Sequence, residues 1–287
     1  MWLSCCSIFC TTTFSRSYDD IIDSKEITIA VYRDFVPFSY QENGESKGVD
    51  IDVAKYIAKQ LGVALKLRWM SAGENVEDDL RNNLWRGDLI NRTVADVMLR
   101  APYDKDYSMM RDDVGLLVHE QVHMFAPYHT ESWQIVFNGK KIDSVPTMAI
   151  FQYHDIGVEV DSIPQFYLLS AFNGRMRNRA KHFGSMSLAI SAMQTNDVDA
   201  VMGLRSQVTH YQQQLDATTY QLATNAFPMI GRQQWDIGMA VKKDYRQLSY
   251  AVADIVEAMI NKGLLQKIFT KYHASFQAPS LYPVSPD

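Results

Sequence analysis

The segment Ile27–Gly62, ITIAVYRDFVPFSYQENGESKGVDIDVAKYIAKQLG, decides the fold. Ile27–Tyr32 is a short β-branched run and predicts a strand. Pro37 disfavours helix at Val36, so Arg33–Phe38 reads as a loop. Asn43-Gly44 marks a turn, and Gly48-Val49-Asp50 opens a helix that runs to Leu61. Ala54, Ile57, Ala58 and Leu61 give that helix one apolar face, and Gly62 is placed to cap it.

The pattern continues outward. Val63–Trp69 alternates as a second strand, and Val76, Leu80 and Leu84 mark a helix that stops near Gly87. Val94–Leu99 is a buried strand. Strand, helix, strand, helix, strand is the signature of a parallel α/β sheet, whose ligands sit beyond the C-terminal strand ends. That rule nominates the loops after Tyr32 and after Leu99. The stretch Val94–Arg100 (VADVMLR) is echoed at Val198–Arg205 (VDAVMGLR), each copy following a helix and ending in arginine, which predicts two similar lobes. A strand is expected at Thr147–Ile150 and another at Ile237–Val241. Asp244 is expected to cap a long helix, with a break at Gly263. The tail after Ala278 carries Pro279, Pro283 and Pro286 and reads as extended.

Composition narrows the function. Of 287 residues, 47% are apolar and 21% charged, with a net charge of −5, which fits a globular chain and excludes a disordered one. Mild acidity argues against non-specific nucleic-acid binding. The three cysteines, Cys5, Cys6 and Cys10, all lie in the first ten residues, so the body has no disulfide framework, CxxC centre or cysteine nucleophile. MWLSCCSIFCTTTFSR is uncharged until Arg16 and resembles the apolar part of a secretory signal without its basic start. No later run reaches about 18 consecutive apolar residues.

Taken together, three stretches resemble family 3 of the bacterial extracellular solute-binding proteins. The loop YRDFVPFSYQENGESKGVDIDVAKYIAKQLG is similar to that family's opening, an aromatic-proline loop followed by Gly-x-Asp-[Ile/Val]-Asp and an amphipathic helix. MFAPYHTESWQIVF resembles the strand on which the chain crosses between lobes. WDIGMAVKKDYRQLSYAVADIVEAMINKGLLQKIFTKYH resembles the closing strand and helix pair. The resemblance implies a two-lobed periplasmic-binding-protein fold of type II, each lobe an α/β sheet flanked by helices, with a two-stranded hinge. Lobe 1 would be residues 25–136 plus 237–275, lobe 2 residues 137–236, with a signal-like or disordered start at 1–24 and an extended tail at 276–287. It also implies a monomeric, non-enzymatic, periplasmic protein without cofactor. Such a protein captures a small polar solute, anionic or amino-acid-like, in an interlobe cleft and serves an ABC permease.

One departure bears on the solute. Amino-acid binders of the family carry Thr-x-x-Arg after the third strand, where this chain reads Leu99-Arg100-Ala101-Pro102-Tyr103-Asp104. The stretch is also similar to relatives that accompany quinoprotein alcohol dehydrogenases as partner proteins, the first alternative role. Arg100 and Arg205 are the expected guanidinium contacts, since arginine grips a carboxylate with two parallel hydrogen bonds. Tyr32, Asp34, Phe35 and Phe38 in the first loop, and Tyr103 and Tyr128, supply aromatic walls and one acid. Gln152 and Tyr153 follow an expected strand, and Ser185 and Ser187 flank a helix start where free N–H groups attract anions.

A second alternative is enzymatic. His119-Glu120-Gln121-Val122-His123 is a literal H-E-x-x-H, and His129 follows. On a helix, the first two histidines would chelate zinc, with Glu120 as general base and His129 as third ligand. The pattern of zinc proteases with a third histidine has glycine where Ala126 stands, and Pro127 follows at once.

Overall fold

Strand β1 (Glu26–Tyr32) buries Ile27, Ile29, Ala30 and Val31 because it lies inside a parallel sheet. The computed structural model describes residues 15–88 and 92–282. In chain order the elements are α1 (Tyr18–Ser24), β1, β2 (Tyr40–Glu42), β3 (Glu45–Lys47), α2 (Val49–Leu61), β4 (Ala64–Met70), α3 (Val76–Leu80), β5 (Val97–Tyr103), α4 (Lys105–Ser108) and β6 (Val122–Asn138). There follow β7 (Ile156–Glu159), α5 (Ile163–Gly174), β8 (Ala180–Phe183), α6 (Met186–Gln194), β9 (Ala200–Leu204), α7 (Arg205–Gln212), β10 (Tyr220–Leu222), β11 (Gln234–Lys242), α8 (Arg246–Asn261) and α9 (Leu264–Lys271). Among the described residues no helix is long and apolar enough to cross a membrane.

The residues form two compact units. The first comprises the chain up to Arg33, Ala54–Ala126 and Gly238–Ile255. Its strands lie in the order β4-β1-β5-β11. Tyr32 faces Met70 in the β1–β4 register, and Ile29 faces Val97 across to β5. Ala30, Met70, Leu80, Leu84, Met98 and Met124 are among the side chains of its core.

The second unit comprises Asp34–Val53, Pro127–Ile237 and the chain from Val256 on. Here the order is β6-β9-β7-β8, with β10 also on β6. β9 runs antiparallel to β6 and parallel to β7. Alternation along β6 serves two cores: Trp133, Ile135 and Phe137 enter one, and Val136 enters the other, beside Met186, Ile190 and Val208.

These limits differ from the expected lobes in three places, the first being that residues 256–275, expected in lobe 1, group with the second unit. The chain leaves the first unit at Ala126, not at residue 136, and Ala126 has a left-handed φ of 44°. The loop and hairpin at 34–53 group with the second unit because their partners are there. The Tyr128 hydroxyl donates to Asp50 at 2.8 Å, Lys271 pairs with Asp52 at 2.6 Å, and the Gln207 amide donates to the Val36 carbonyl at 2.9 Å.

Both ends are also more structured than expected. α1 starts in a capping box of Ser17 and Asp20, and Arg16 pairs with the buried Asp96 at 2.6 Å. The start of the tail is docked: Thr130 N–H donates to the Gln277 carbonyl at 2.9 Å, and the Phe276 ring lies 5.1 Å from Phe269. The expected signal-like residues 1–14 lie outside the described chain.

Three local expectations change. Thr147–Ile150 is not a strand: Met148–Gln152 is a 3₁₀ turn, whose i, i+3 spacing buries Met148 and Phe151 together. β5 extends past Leu99 to Tyr103, so Arg100 lies within the strand and not at its end. The long helix begins at Arg246, after a 3₁₀ turn at Lys243–Tyr245. Gly263 does separate it from α9, with φ 64°.

Candidate functional site

In the first unit the loop ends of β1 and β5 collect polar groups. The Tyr32 hydroxyl donates to Asp79 Oδ2 at 2.7 Å, and Gly73 N–H donates to Asp79 Oδ1 at 2.7 Å. Burial, then the Asp79 charge, push the Tyr32 phenol well above its ordinary range, and Arg100 opposes this. Tyr32 is therefore a fixed O–H donor. Desolvation also raises the Asp79 carboxyl, against its two hydrogen bonds. Arg100 is buried and has a left-handed φ of 62° inside β5. A non-glycine residue held there stores local strain, which is common at binding sites. Tyr103 is half-buried at the end of the same strand.

The second unit gathers its groups around the start of α7. Arg205 is the first residue of that helix, and Leu204 before it offers no side-chain cap. The capping group comes from β6 instead. The wholly buried Glu131 accepts Ser206 N–H at 3.2 Å and Ser132 N–H at 3.1 Å through Oε1. The Ser206 hydroxyl donates to Oε2, and His129 Nε2 lies 3.5 Å from that oxygen. Arg205 is left with Nε and Nη2 buried and without a hydrogen-bond partner among the described residues. Those two N–H groups form one edge of the guanidinium, which fits the two oxygens of a carboxylate.

The remaining expected residues of this unit fall in several places. Phe35 and Phe38 touch, with ring centroids 4.9 Å apart, but Phe38 is wholly buried and Phe35 only partly. Asp34 is exposed, with φ 53°. Tyr128 is wholly buried on Asp50, a core role. The amide of Gln207 brings the Asp34–Phe38 loop to α7. Ser185 caps α6 by accepting Leu188 N–H at 3.3 Å, and its hydroxyl lies 2.9 Å from that of Ser187. Gln152 is half-buried, while Tyr153 is 75% exposed. Glu131, Asp79 and Gln207 are neighbours of the candidate-site residues that sequence reading missed. An acid inside the apolar run of β6 was the available signal for Glu131.

The zinc alternative fails on geometry. His119 lies in a turn and His123 in β6, so no helix sets them one turn apart. His119 faces Tyr107 at 4.3 Å and Glu77 at 3.7 Å, whereas the His123 ring lies parallel to Phe125. His129 belongs to the second unit and contacts Glu131 and Phe269. Among the described residues no three His, Cys, Asp or Glu side chains are grouped as a metal site requires.

Two α/β units, each with parallel strands, through which the chain passes on the long strands β6 and β11, are the architecture of the two-lobed binding proteins. Residues 27–86 match the family described as bacterial extracellular solute-binding proteins, family 3, so the opening loop's resemblance is borne out, in divergent form. No curated protein sequence matches the chain. Among solved structures, an ancestral cationic amino-acid solute-binding protein superposes with a TM-score of 0.68 at 17% identity, covering 89% of this chain and 99% of that one. An amino-acid ABC transporter substrate-binding protein from Streptococcus pneumoniae, bound to L-arginine, gives 0.62 at 19% identity, over 89% and 97%. The GluR0 ligand-binding core with L-glutamate gives 0.61 at 12% identity, over 86% and 97%. These similarities show the fold.

Proposed function

We propose that the chain is an exported, periplasmic solute-binding protein that captures a small carboxylate-bearing solute of amino-acid type, without catalysis of its own, for an ABC permease. The observation that carries this reading is the Arg205 edge. Two parallel guanidinium N–H groups are buried and unpartnered among the described residues, and burying unsatisfied donors is costly unless a ligand completes them. The carboxylate of Glu131 already fills the helix start beside Arg205, so the solute's carboxylate engages the guanidinium and not the α7 amides. In the first unit Arg100 is the proposed guanidinium, with Tyr32 as a neutral donor beside it. Relatives of this fold that hold L-arginine and L-glutamate support the choice of solute class, as both ligands carry a carboxylate.

Calorimetric titration of the purified chain with the L-amino acids and simple carboxylates tests this. Saturable binding that is lost on esterifying the ligand carboxylate and on Arg205→Ala is the expected result. Binding indifferent to both changes, or none with any carboxylate, would overturn it.

A further inference from the structure

A cavity of about 260 Å³ opens in the first unit between α3, the π-helical turn Arg81–Trp85 and the loop that enters β6. Its lining includes Glu77, Arg81, Trp85 and His119 but neither Arg100 nor Tyr32. Two nitrogens of its lining residues are buried without a hydrogen-bond partner among the described residues: His119 Nε2 and Arg81 Nε. The His119 side chain is only 3% exposed. Glu77 Oε1 lies 3.7 Å from His119 Nε2, too far for a hydrogen bond, and accepts the Tyr107 hydroxyl at 3.1 Å. Arg81 Nη2 is bound to Asp78 at 2.5 Å, which leaves the single Nε N–H to the cavity's occupant.

The donor and acceptor inventory selects the occupant. A carboxylate only accepts, so it has nothing to give Glu77 and is repelled by Glu77 and Asp78. An ammonium only donates, so it has nothing to offer Arg81 Nε. A hydroxyl does both, and it suits either tautomer of a neutral imidazole. Burial keeps His119 below its ordinary range and so neutral near pH 7. Trp85, 40% exposed at the lining, with Leu80, Val118 and Val122, supplies apolar surface for a carbon skeleton.

We infer that this cavity is a second small-molecule site, specific for a neutral polyhydroxyl compound. One hydroxyl donates to Glu77, a neighbouring one meets Arg81 Nε and His119 Nε2, and the C–H face rests on Trp85. The inference is independent of the carboxylate reading of Arg205.

Saturation-transfer NMR and calorimetry on the full chain test it with glycerol, glucose and myo-inositol, against acetate, methylammonium and acetamide. At least one polyol binds saturably, and the other three probes do not displace it. Affinity falls about tenfold or more in Glu77→Gln and in His119→Ala, as expected for the loss of a hydrogen bond to a charged group or to a buried imidazole, and is unchanged in Arg205→Ala. Trp85→Ala, at a half-exposed position, provides a variant whose folding is checked by circular dichroism and whose polyol affinity also falls. No saturable polyol binding below about 50 mM, wild-type polyol affinity retained in the folded Trp85→Ala and Glu77→Gln variants, or displacement by acetate would overturn the inference.

Discussion

The Glu131 carboxylate caps the helix that begins at Arg205, because it accepts both the N–H and the hydroxyl of Ser206, 75 residues away in sequence. Glu131→Ala leaves those donors buried and unsatisfied, so it should cost about 2–4 kcal/mol in urea unfolding. Glu131→Gln keeps one acceptor oxygen and should cost clearly less. Equal losses in the two variants would show that the cap is not the source of the effect.

Arg205→Lys separates charge from geometry. Lysine keeps the positive charge but lacks the flat two-donor edge. Carboxylate affinity should fall about tenfold or more, measured by calorimetry, with the unfolding midpoint almost unmoved. Retained affinity would move the carboxylate contact elsewhere, first to Arg100.

Asp79 gives a pH signature. Its folded carboxyl is raised above the ordinary value of 3.8, chiefly by desolvation, so the folded state binds that proton more tightly than the unfolded state. The associated stability is fully present below 3.8 and is lost as pH rises through the higher folded value. Asp79→Asn should therefore flatten the fall in stability across this window, read as the difference between variant and wild-type urea curves. A wild-type difference curve with the opposite slope would contradict the assignment.

Gly48 has φ 123°, and a Cβ there would overlap the Phe38 carbonyl and stand 2.8 Å from Ser39 N. Gly48→Ala should destabilise the chain by about 2–4 kcal/mol, because the obstacle is backbone that cannot rotate away. The same glycine sets Val49 N–H on the Pro37 carbonyl at 3.0 Å and Asp50 N–H on the Phe38 carbonyl at 2.8 Å. Loss of the Asp34–Phe38 loop geometry should appear as altered hydrogen exchange there.

Chelation tests the dispersed histidines. Because His119, His123 and His129 face different neighbours, overnight treatment with EDTA should shift the melting temperature by less than about 1 °C. A larger drop, restored by zinc, would reinstate a metal site.

Much of the fold was legible because β1 and α2 carry unmixed periodicities bounded by Pro37, Gly48 and Gly62. The 3₁₀ turn at Met148–Gln152 was not, since a short apolar run fits a strand as well as a turn and only its packing partners decide. H-E-x-x-H misled for a related reason: spacing states which residues share a helical face only if a helix exists. Within the candidate site, Arg205 and Arg100 stood out as arginines beside apolar strands. The Glu131 cap and the Tyr32–Asp79 bond join residues distant in sequence, which no local pattern reports.

Two side chains tie the start of the described chain to the folded body. Arg16 is the ion-pair partner of an Asp96 whose side chain is only 2% exposed, and the Ser15 hydroxyl donates to the Leu84 carbonyl. A peptidase that cut after Arg16 would strand a buried carboxylate beneath β1, whose Thr28 N–H it also receives. A cut ahead of Ser15 would leave both contacts in place. Cys5, Cys6 and Cys10 all precede that point in the sequence.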